Sequence, residues 1–111
     1  PTAHHEMVAI RQACQYLGTR YLIGCTLYTS HETCPMCLTA CIWARMDRVV
    51  FGARQLDIME YGKKHGNDKF KWRAVGISAN EMYHKFLRQA HDGMRIDEVL
   101  RGECLKLFHN I

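Results

Sequence analysis

The sequence predicts an α/β protein in which a helix connects two parallel strands. The main observation is a strand, a helix and a second strand in close succession between residues 25 and 52, because strands joined in this way lie parallel with the helix packed on their sheet. The length of 111 residues fits one domain, and an apolar share of 48% suffices for a buried core. We therefore expect residues 1–111 to form a single domain.

The first predicted element is a helix over residues 4–17. Four side chains recur on one of its faces at helical spacing: Met7, Ile10, Cys14 and Leu17. Gly18 follows directly and is a typical helix end.

The crossover unit occupies the next part of the chain. Residues 25–29 predict a strand, residues 35–45 a helix and residues 48–52 a buried strand. Pro35 suits the first turn of the helix because that position needs no N–H donor.

The second half of the chain gives weaker patterns. Residues 55–68 predict a loop with one helical turn near Ile58-Met59, and residues 70–75 are a candidate strand. Two helices over residues 80–91 and 97–108 are expected to close the fold. Their expected buried stripes are Met82, Phe86 and Leu87 in the first helix, and Val99, Leu100, Cys104 and Leu107 in the second.

Composition favours a reduced, cytoplasmic protein over a secreted or membrane protein. The chain has six cysteines, but disulfide scaffolds are typical of shorter, loop-rich chains with a secretory signal. Cys14, Cys37 and Cys41 fall in apolar helical stretches, and the start Pro1-Thr2-Ala3-His4 does not resemble a signal peptide. No apolar run reaches the length of a membrane span, so we expect no membrane partner.

The net charge of +4 is mild. The densest basic stretch is Lys63-Lys64-His65 followed by Lys69-Phe70-Lys71-Trp72-Arg73. Basic residues interleaved with aromatic residues can bind single-stranded nucleic acid, but a solvated loop and edge strand are the simpler interpretation of the stretch. Charge alone therefore does not indicate a nucleic-acid partner.

Two short motifs point to zinc chemistry: His4-His5-Glu6, and Cys34-Pro35-Met36-Cys37. One imidazole and two thiolates give three zinc ligands, and catalytic zinc sites commonly leave the fourth position to water. Cys34 and Cys37 lie at a helix N-terminus, where the helix dipole favours thiolate over thiol. The motifs together indicate a hydrolytic zinc enzyme in which Glu6 handles the proton of the attacking water.

The spacing of the first motif makes a geometric prediction. His4 and Glu6 are two residues apart, so in a helix interior their side chains would point roughly 200° apart. They can meet at one metal only if they lie at the opening turn of the helix.

The Cys-x-x-Cys motif has other interpretations. It could be half of a structural zinc site, but the sequence contains no second such pair. It could be a redox dithiol, as in glutaredoxin-type folds, yet those folds normally supply a cis-proline from a later loop and the only prolines here are Pro1 and Pro35. His5 competes with His4 as a ligand, although the His-x-Glu spacing favours His4. Cys41 is interpreted as a core residue.

The runs from Pro1 to Arg11 and from Leu27 to Cys37 resemble the cytidine deaminase-like superfamily. Within it, the run Ile42-Trp43-Ala44-Arg45 is most similar to bacterial guanine deaminases. The resemblance implies a three-layer α/β/α cytidine deaminase-like fold with a mixed, largely parallel sheet, without the usual N-terminal helix and hairpin. Residues 1–111 would then be a zinc-dependent deaminase domain that is N-terminally incomplete relative to the family.

The resemblance also implies roles for individual residues. Zinc would be bound by His4, Cys34 and Cys37, and Glu6 would be the proton shuttle. The expected substrate contacts are His5, Trp43 and Asp68. His5 replaces an alanine whose main-chain N–H contacts the substrate in the family, and Thr33 replaces a proline.

The implied activity is hydrolytic deamination of a purine base, with guanine converted to xanthine and ammonia. The first alternative is a tRNA adenosine deaminase, which shares the run Val49–Arg54 and would bind nucleic acid through residues 63–73. Cytosine or nucleotide deamination and a catalytically silent, zinc-stabilised module are the further alternatives. The resemblance also implies a homodimer, in which C-terminal segments can be exchanged.

Overall fold

A computed structural model describes residues 1–66 and 75–109 of the chain. The helices and strands, in chain order, are α1 His5–Leu17, β1 Thr26–His31, α2 Pro35–Trp43, β2 Arg48–Ala53, α3 Gln55–His65, α4 Ala79–Met82 with a π-helical continuation Tyr83–Leu87, β3 Arg95–Glu98 and α5 Arg101–His109. None of the helices in these ranges is long and apolar enough to cross a membrane.

The three described strands form a parallel sheet in the order β1-β2-β3. Val49 of β2 pairs with Leu27 of β1 and with Ile96 of β3. The central strand is buried from Val49 to Ala53, because parallel sheets are covered on both faces and their inner strands are therefore continuously apolar. The crossover unit predicted from the sequence is confirmed.

Helices cover both faces of the sheet. On one face α2 packs against α1 and α4, and its buried Leu38 and Ile42 join Leu27 and Val49 in the main core. On the other face α5 packs on β2 and against α3. Contact with α5 requires a glycine at position 52, since a Cβ there would lie 2.1 Å from Cys104 Sγ.

The loop predicted over residues 55–68 is wrong for its described part. α3 runs over Gln55–His65 and ends at Gly66 in the left-handed conformation. Asp57 accepts a hydrogen bond from Arg54 N at 3.0 Å at the opening of the helix and is ion-paired with Arg101 of α5. These contacts stabilise a helix that buries few apolar residues, which is why its sequence pattern is weak.

The helix predicted over residues 80–91 is shorter than expected and changes type. The α-helix α4 passes at Tyr83 into a π-helical turn that ends at Leu87. The wider turn moves the buried face: Tyr83 is buried, whereas Phe86 is 64% exposed. The predicted stripe of Met82, Phe86 and Leu87 is therefore wrong at Phe86.

The helix predicted over residues 97–108 begins later than expected. Asp97 and Glu98 belong to strand β3, where they pair with β2, and α5 starts at Arg101. Of the predicted stripe only Cys104 is half-buried, while the other three residues are exposed: Val99, Leu100 and Leu107. The candidate strand over residues 70–75 lies outside the described residues, apart from Val75.

Candidate metal centre

The structure brings the two motifs together into one group of potential metal ligands. His4 Nδ1 lies 3.6 Å from Cys34 Sγ and 3.6 Å from Cys37 Sγ. A tetrahedral zinc ion with Zn–N about 2.0 Å and Zn–S about 2.3 Å would separate nitrogen and sulfur ligands by about 3.5 Å. The donor atoms and their spacing therefore fit a zinc ion.

The openings of two helices position these side chains. His4 is the N-cap of α1, with extended backbone angles (φ −61°, ψ 152°), and its carbonyl accepts the first hydrogen bond of the helix from Val8 N at 3.0 Å. Cys34 is likewise the extended N-cap of α2, and Pro35 follows it at the first helical position. The two motifs thus meet at the openings of α1 and α2. This confirms the expectation that His4 and Glu6 lie at the opening turn of a helix.

The pKa values of the two thiols shift in opposite directions when no cation is bound. A hydrogen bond from the Cys37 thiol lowers the pKa of Cys34 to about 5, despite the opposing effect of burial. The same pairing, together with burial, raises the pKa of the Cys37 thiol. A divalent cation would displace the proton of the Cys37 thiol, because metal binding requires both sulfur atoms as thiolates.

Cys41 lies one turn beyond Cys37 and does not join the group. It is fully buried in the main core with Leu38 and Ile42. Burial raises its pKa to about 12, so this thiol stays protonated and packs as an apolar side chain.

Glu6 lies beside the ligand group with its two oxygen atoms in different surroundings. Oε2 is 3.7 Å from Cys37 Sγ, and Oε1 accepts a hydrogen bond from the Thr29 hydroxyl at 2.9 Å. Thr29 was missed by the sequence analysis. Its place in the strand pattern could have indicated that it faces inward, because successive side chains of a strand alternate between faces and Thr29 lies two residues after the inward-facing Leu27.

Glu32 is a second residue that the sequence analysis missed. It is 5% exposed and precedes Cys34 of the candidate ligand group by two residues. Its Oε1 accepts a hydrogen bond from Gln55 N at 3.0 Å, and its Oε2 accepts one from Ala79 N at 2.7 Å. The carboxylate thus connects the segment that carries Cys34 to the starts of α3 and α4. No sequence pattern indicates this role, since an isolated glutamate is usually a surface residue.

The structure describes two of the three predicted substrate contacts, His5 and Trp43. His5 is the exposed first residue of α1. Trp43 is the last residue of α2 and is 73% exposed. It follows Cys37 by six residues, which places the two residues roughly 9 Å apart along the helix axis. Asp68 lies outside the described residues. The substrate-binding roles of all three stay predictions.

The fold and the His-Cys-Cys group are those of the cytidine deaminase-like class of deaminases. More particularly, the chain belongs to the MafB19-like deaminase family, whose family model matches residues 1–99.

Relatives with two different substrates are similar to this chain. The guanine deaminase of Bacillus subtilis is 46% identical over 81 residues, a match that covers 73% of this chain and 50% of the relative. The tRNA-specific adenosine deaminase of Aquifex aeolicus is 36% identical over 109 residues, covering 85% of this chain and 68% of the relative. The chain therefore matches half of the length of the first relative and about two thirds of that of the second.

A solved structure supports the fold class. A protein from a study of A-to-I editing by tRNA:A34 deaminases at the wobble position of transfer RNA superposes with a TM-score of 0.68 at 26% identity. The superposition covers 96% of this chain and 65% of that protein. The cytidine deaminase-like fold predicted from the sequence is confirmed.

Proposed function

We propose that this protein is a zinc-dependent hydrolytic deaminase of a purine base, with guanine as its substrate and xanthine and ammonia as its products. The observation that carries the proposal is the group of His4, Cys34 and Cys37 with the Glu6 carboxylate 3.7 Å from Cys37 Sγ. Three ligands leave one zinc position open, which is the arrangement of catalytic zinc sites.

The site would hold zinc through His4 Nδ1, Cys34 Sγ and Cys37 Sγ. Neutral imidazole and thiolate ligands suit this metal, and their spacing matches its bond lengths. When bound, zinc supplies a strong acidification of a water molecule, to a pKa of about 7.

Glu6 would perform the proton transfers. Its Oε2 faces the ligand group and can accept a proton from the attacking water. The same carboxyl group can then give this proton to the ring nitrogen. After the bond between the water oxygen and the ring carbon has formed, it can take the second proton from the added hydroxyl group and give it to the departing amine, so that one residue acts as base and then as acid.

Guanine is the first substrate candidate because of the similarity to the guanine deaminase of Bacillus subtilis, 46% over 81 residues. The contacts proposed for the base are the main chain at His5, the indole of Trp43 and the carboxylate of Asp68. A homodimer and a cytoplasmic location belong to the same proposal. Light scattering would measure the molar mass in solution and so test the homodimer.

A tRNA adenosine deaminase is the second candidate. It is supported by the similarity to the Aquifex aeolicus enzyme and by the exposed basic end of α3, where Lys63, Lys64 and His65 follow one another. Phosphate contacts by these residues would make binding of the nucleic acid fall steeply with added salt.

The test is an ammonia-release assay with the zinc-loaded protein on guanine, adenine, cytosine, guanosine and a tRNA anticodon hairpin. We expect release from guanine, and a loss of about 10²- to 10⁴-fold in Glu6→Gln with the zinc content unchanged. Glu103→Gln is the matched control, because Glu103 is exposed on α5 and should leave activity unchanged.

The other outcomes are equally informative. Activity on the hairpin alone would replace guanine by tRNA as the substrate. If the zinc-loaded protein released ammonia from none of these substrates, the enzyme proposal would be wrong and a silent zinc-stabilised module would take its place.

A further inference from the structure

The side chain of Thr29 connects β1 to the proposed proton carrier. Its Oγ1 lies 2.9 Å from Glu6 Oε1, although the two residues are 23 positions apart in the sequence. The contact is half-buried, and Thr29 shares the inward face of β1 with the core residue Leu27. The hydroxyl therefore sits on a rigid strand while the carboxylate sits on the first turn of α1.

The hydroxyl proton has two possible acceptors. Glu6 Oε1 lies at 2.9 Å and the carbonyl oxygen of His31 at 3.1 Å, while His31 N–H donates to Thr29 Oγ1 at 3.4 Å. A hydroxyl carries a single proton, and a charged acceptor forms the stronger hydrogen bond. The proton is therefore directed to Glu6.

This hydrogen bond distinguishes the two oxygen atoms of the carboxylate. Oε1 is occupied by the Thr29 donor, whereas Oε2 faces the ligand group at 3.7 Å from Cys37 Sγ. Without a partner the carboxylate plane would turn readily, because the terminal torsion of glutamate is broad.

We propose that Thr29 is a positioning residue that fixes the Glu6 carboxylate with Oε2 toward the metal ligands. This inference rests on the proposed function, since the fixed orientation benefits the reaction only if Glu6 carries the proton. Thr29 itself touches neither the expected metal nor the reacting atoms, and it acts through Glu6.

The test compares Thr29→Val, which removes the hydroxyl at similar shape, with Thr29→Ser, which retains it. A small misplacement of a reacting group can cost about 10²-fold in rate. We expect Thr29→Val to lower kcat for guanine by about 10- to 100-fold with KM nearly unchanged, and Thr29→Ser to stay within about threefold of the parent protein.

Two further readouts separate positioning from a purely structural role. Crystal structures of the zinc-loaded variants should show the Glu6 carboxylate turned in Thr29→Val and unchanged in Thr29→Ser. The zinc content should stay the same in both. Ser30→Ala is the neighbouring control, because Ser30 is exposed on the other face of β1 and its loss should change nothing. If Thr29→Val does not fold, Thr29→Ala removes the same donor and takes its place.

The possible failures of the two proposals can be told apart. An active parent protein with an equally active Thr29→Val variant would overturn the role of Thr29 and leave the proposed function intact. A parent protein without deaminase activity would remove the proposed function. In that case an unchanged Glu6 carboxylate in the Thr29→Val crystals would overturn the positioning as well.

Discussion

Glu32 and Thr33, two neighbouring buried residues just before Cys34, differ sharply in their hydrogen bonding. Both oxygen atoms of Glu32 accept backbone N–H groups, whereas Thr33 Oγ1 is buried without a hydrogen-bond partner in the part of the chain that the structure describes. A buried polar group without a partner destabilises the fold, while a satisfied one stabilises it. Substitutions at the two positions should therefore act in opposite directions.

Thr33→Val should stabilise the protein. The substitution removes an unpaired buried hydroxyl at similar volume, so we expect the free energy of unfolding in urea to rise by about 1 kcal/mol. Thr39→Val is the matched control, because the Thr39 hydroxyl donates to Pro35 O at 2.7 Å and its loss should destabilise. A destabilised Thr33→Val variant would mean that the hydroxyl has a partner in the protein.

Glu32→Gln should destabilise the protein although it conserves shape. One carboxylate oxygen becomes an amide NH₂, which must then face a backbone N–H donor at Gln55 or Ala79. A lost hydrogen bond to a charged group costs about 2 kcal/mol, which urea unfolding would detect. The exposed Glu60→Gln control should change little, and equal stability of the two variants would contradict the connecting role of Glu32.

At the scale of elements, α5 depends on its close contact with β2. A Cβ at Gly52 would lie 2.1 Å from Cys104 Sγ and 2.5 Å from Cys104 Cβ. Because overpacking typically costs about 1–3 kcal/mol, we expect Gly52→Ala to lower the free energy of unfolding by that amount.

The double variant Gly52→Ala with Cys104→Ala tests whether this contact is the cause. Removing the sulfur relieves the closer clash, but the Cβ of position 104 remains, so the second substitution should restore only part of the stability. Additive losses in the two single variants would show that Gly52 is required for another reason.

The ion pair between α3 and α5 makes the fold sensitive to acid. Arg101 donates from Nε to Asp57 Oδ2 at 2.8 Å and holds the pKa of Asp57 below its usual range. A lowered pKa in the folded state contributes stability above the unfolded pKa of about 3.9, and this contribution is lost as the pH falls through the folded value. We expect Asp57→Asn to lower the melting temperature by a few degrees at pH 7 and by progressively less below pH 4.

Asp92→Asn is the control for this prediction. Arg88 also lowers the pKa of Asp92, but that pair joins residues only four positions apart and the Asp92 side chain is 75% exposed, so its loss should change little. If the difference in melting temperature between Asp57→Asn and the parent protein stayed constant from pH 3 to 7, the ion pair would not be the cause of the acid sensitivity.

At the scale of the whole molecule, the elements that could be predicted from the sequence are those that short stretches of the chain specify by themselves. α1 carries apolar periodicity and ends before Gly18, α2 starts at Pro35, β1 and β2 flank it as short runs of the crossover unit, and both candidate ligand motifs lie at helix openings. Other features depend on distant partners. β3 becomes a strand by pairing with β2, and the π-helical turn places the Tyr83 hydroxyl where it donates to His91 O and accepts from Met94 N.

The same distinction applies to the candidate site. His4, Glu6, Cys34 and Cys37 could be chosen from residue type and spacing alone. Thr29 could not, because its contact with Glu6 depends on how α1 docks against β1. The alternation along β1 indicates that Thr29 faces inward, but nothing in one sequence indicates which residue such a side chain contacts.

Zinc should connect α1 to the rest of the fold. Two of the candidate ligands lie at the opening of α2 and the third lies on the chain just before α1, so zinc binding to the folded protein should stabilise this docking. A ligand at about 1,000 times its dissociation constant contributes about 4 kcal/mol. We therefore expect a chelator to lower the melting temperature and added zinc to restore it.

Two histidine variants identify the ligand. His4→Ala should lose the zinc-dependent rise in melting temperature, whereas His5→Ala should keep it, because His4 Nδ1 lies 3.6 Å from each of the two sulfur atoms. The rise should also diminish with falling pH, since protons compete with zinc for the thiolates and the pKa of Cys37 is raised. A His5→Ala protein that no longer responds to zinc would transfer the ligand role to His5, and an unchanged response in both variants would place the zinc elsewhere in the chain.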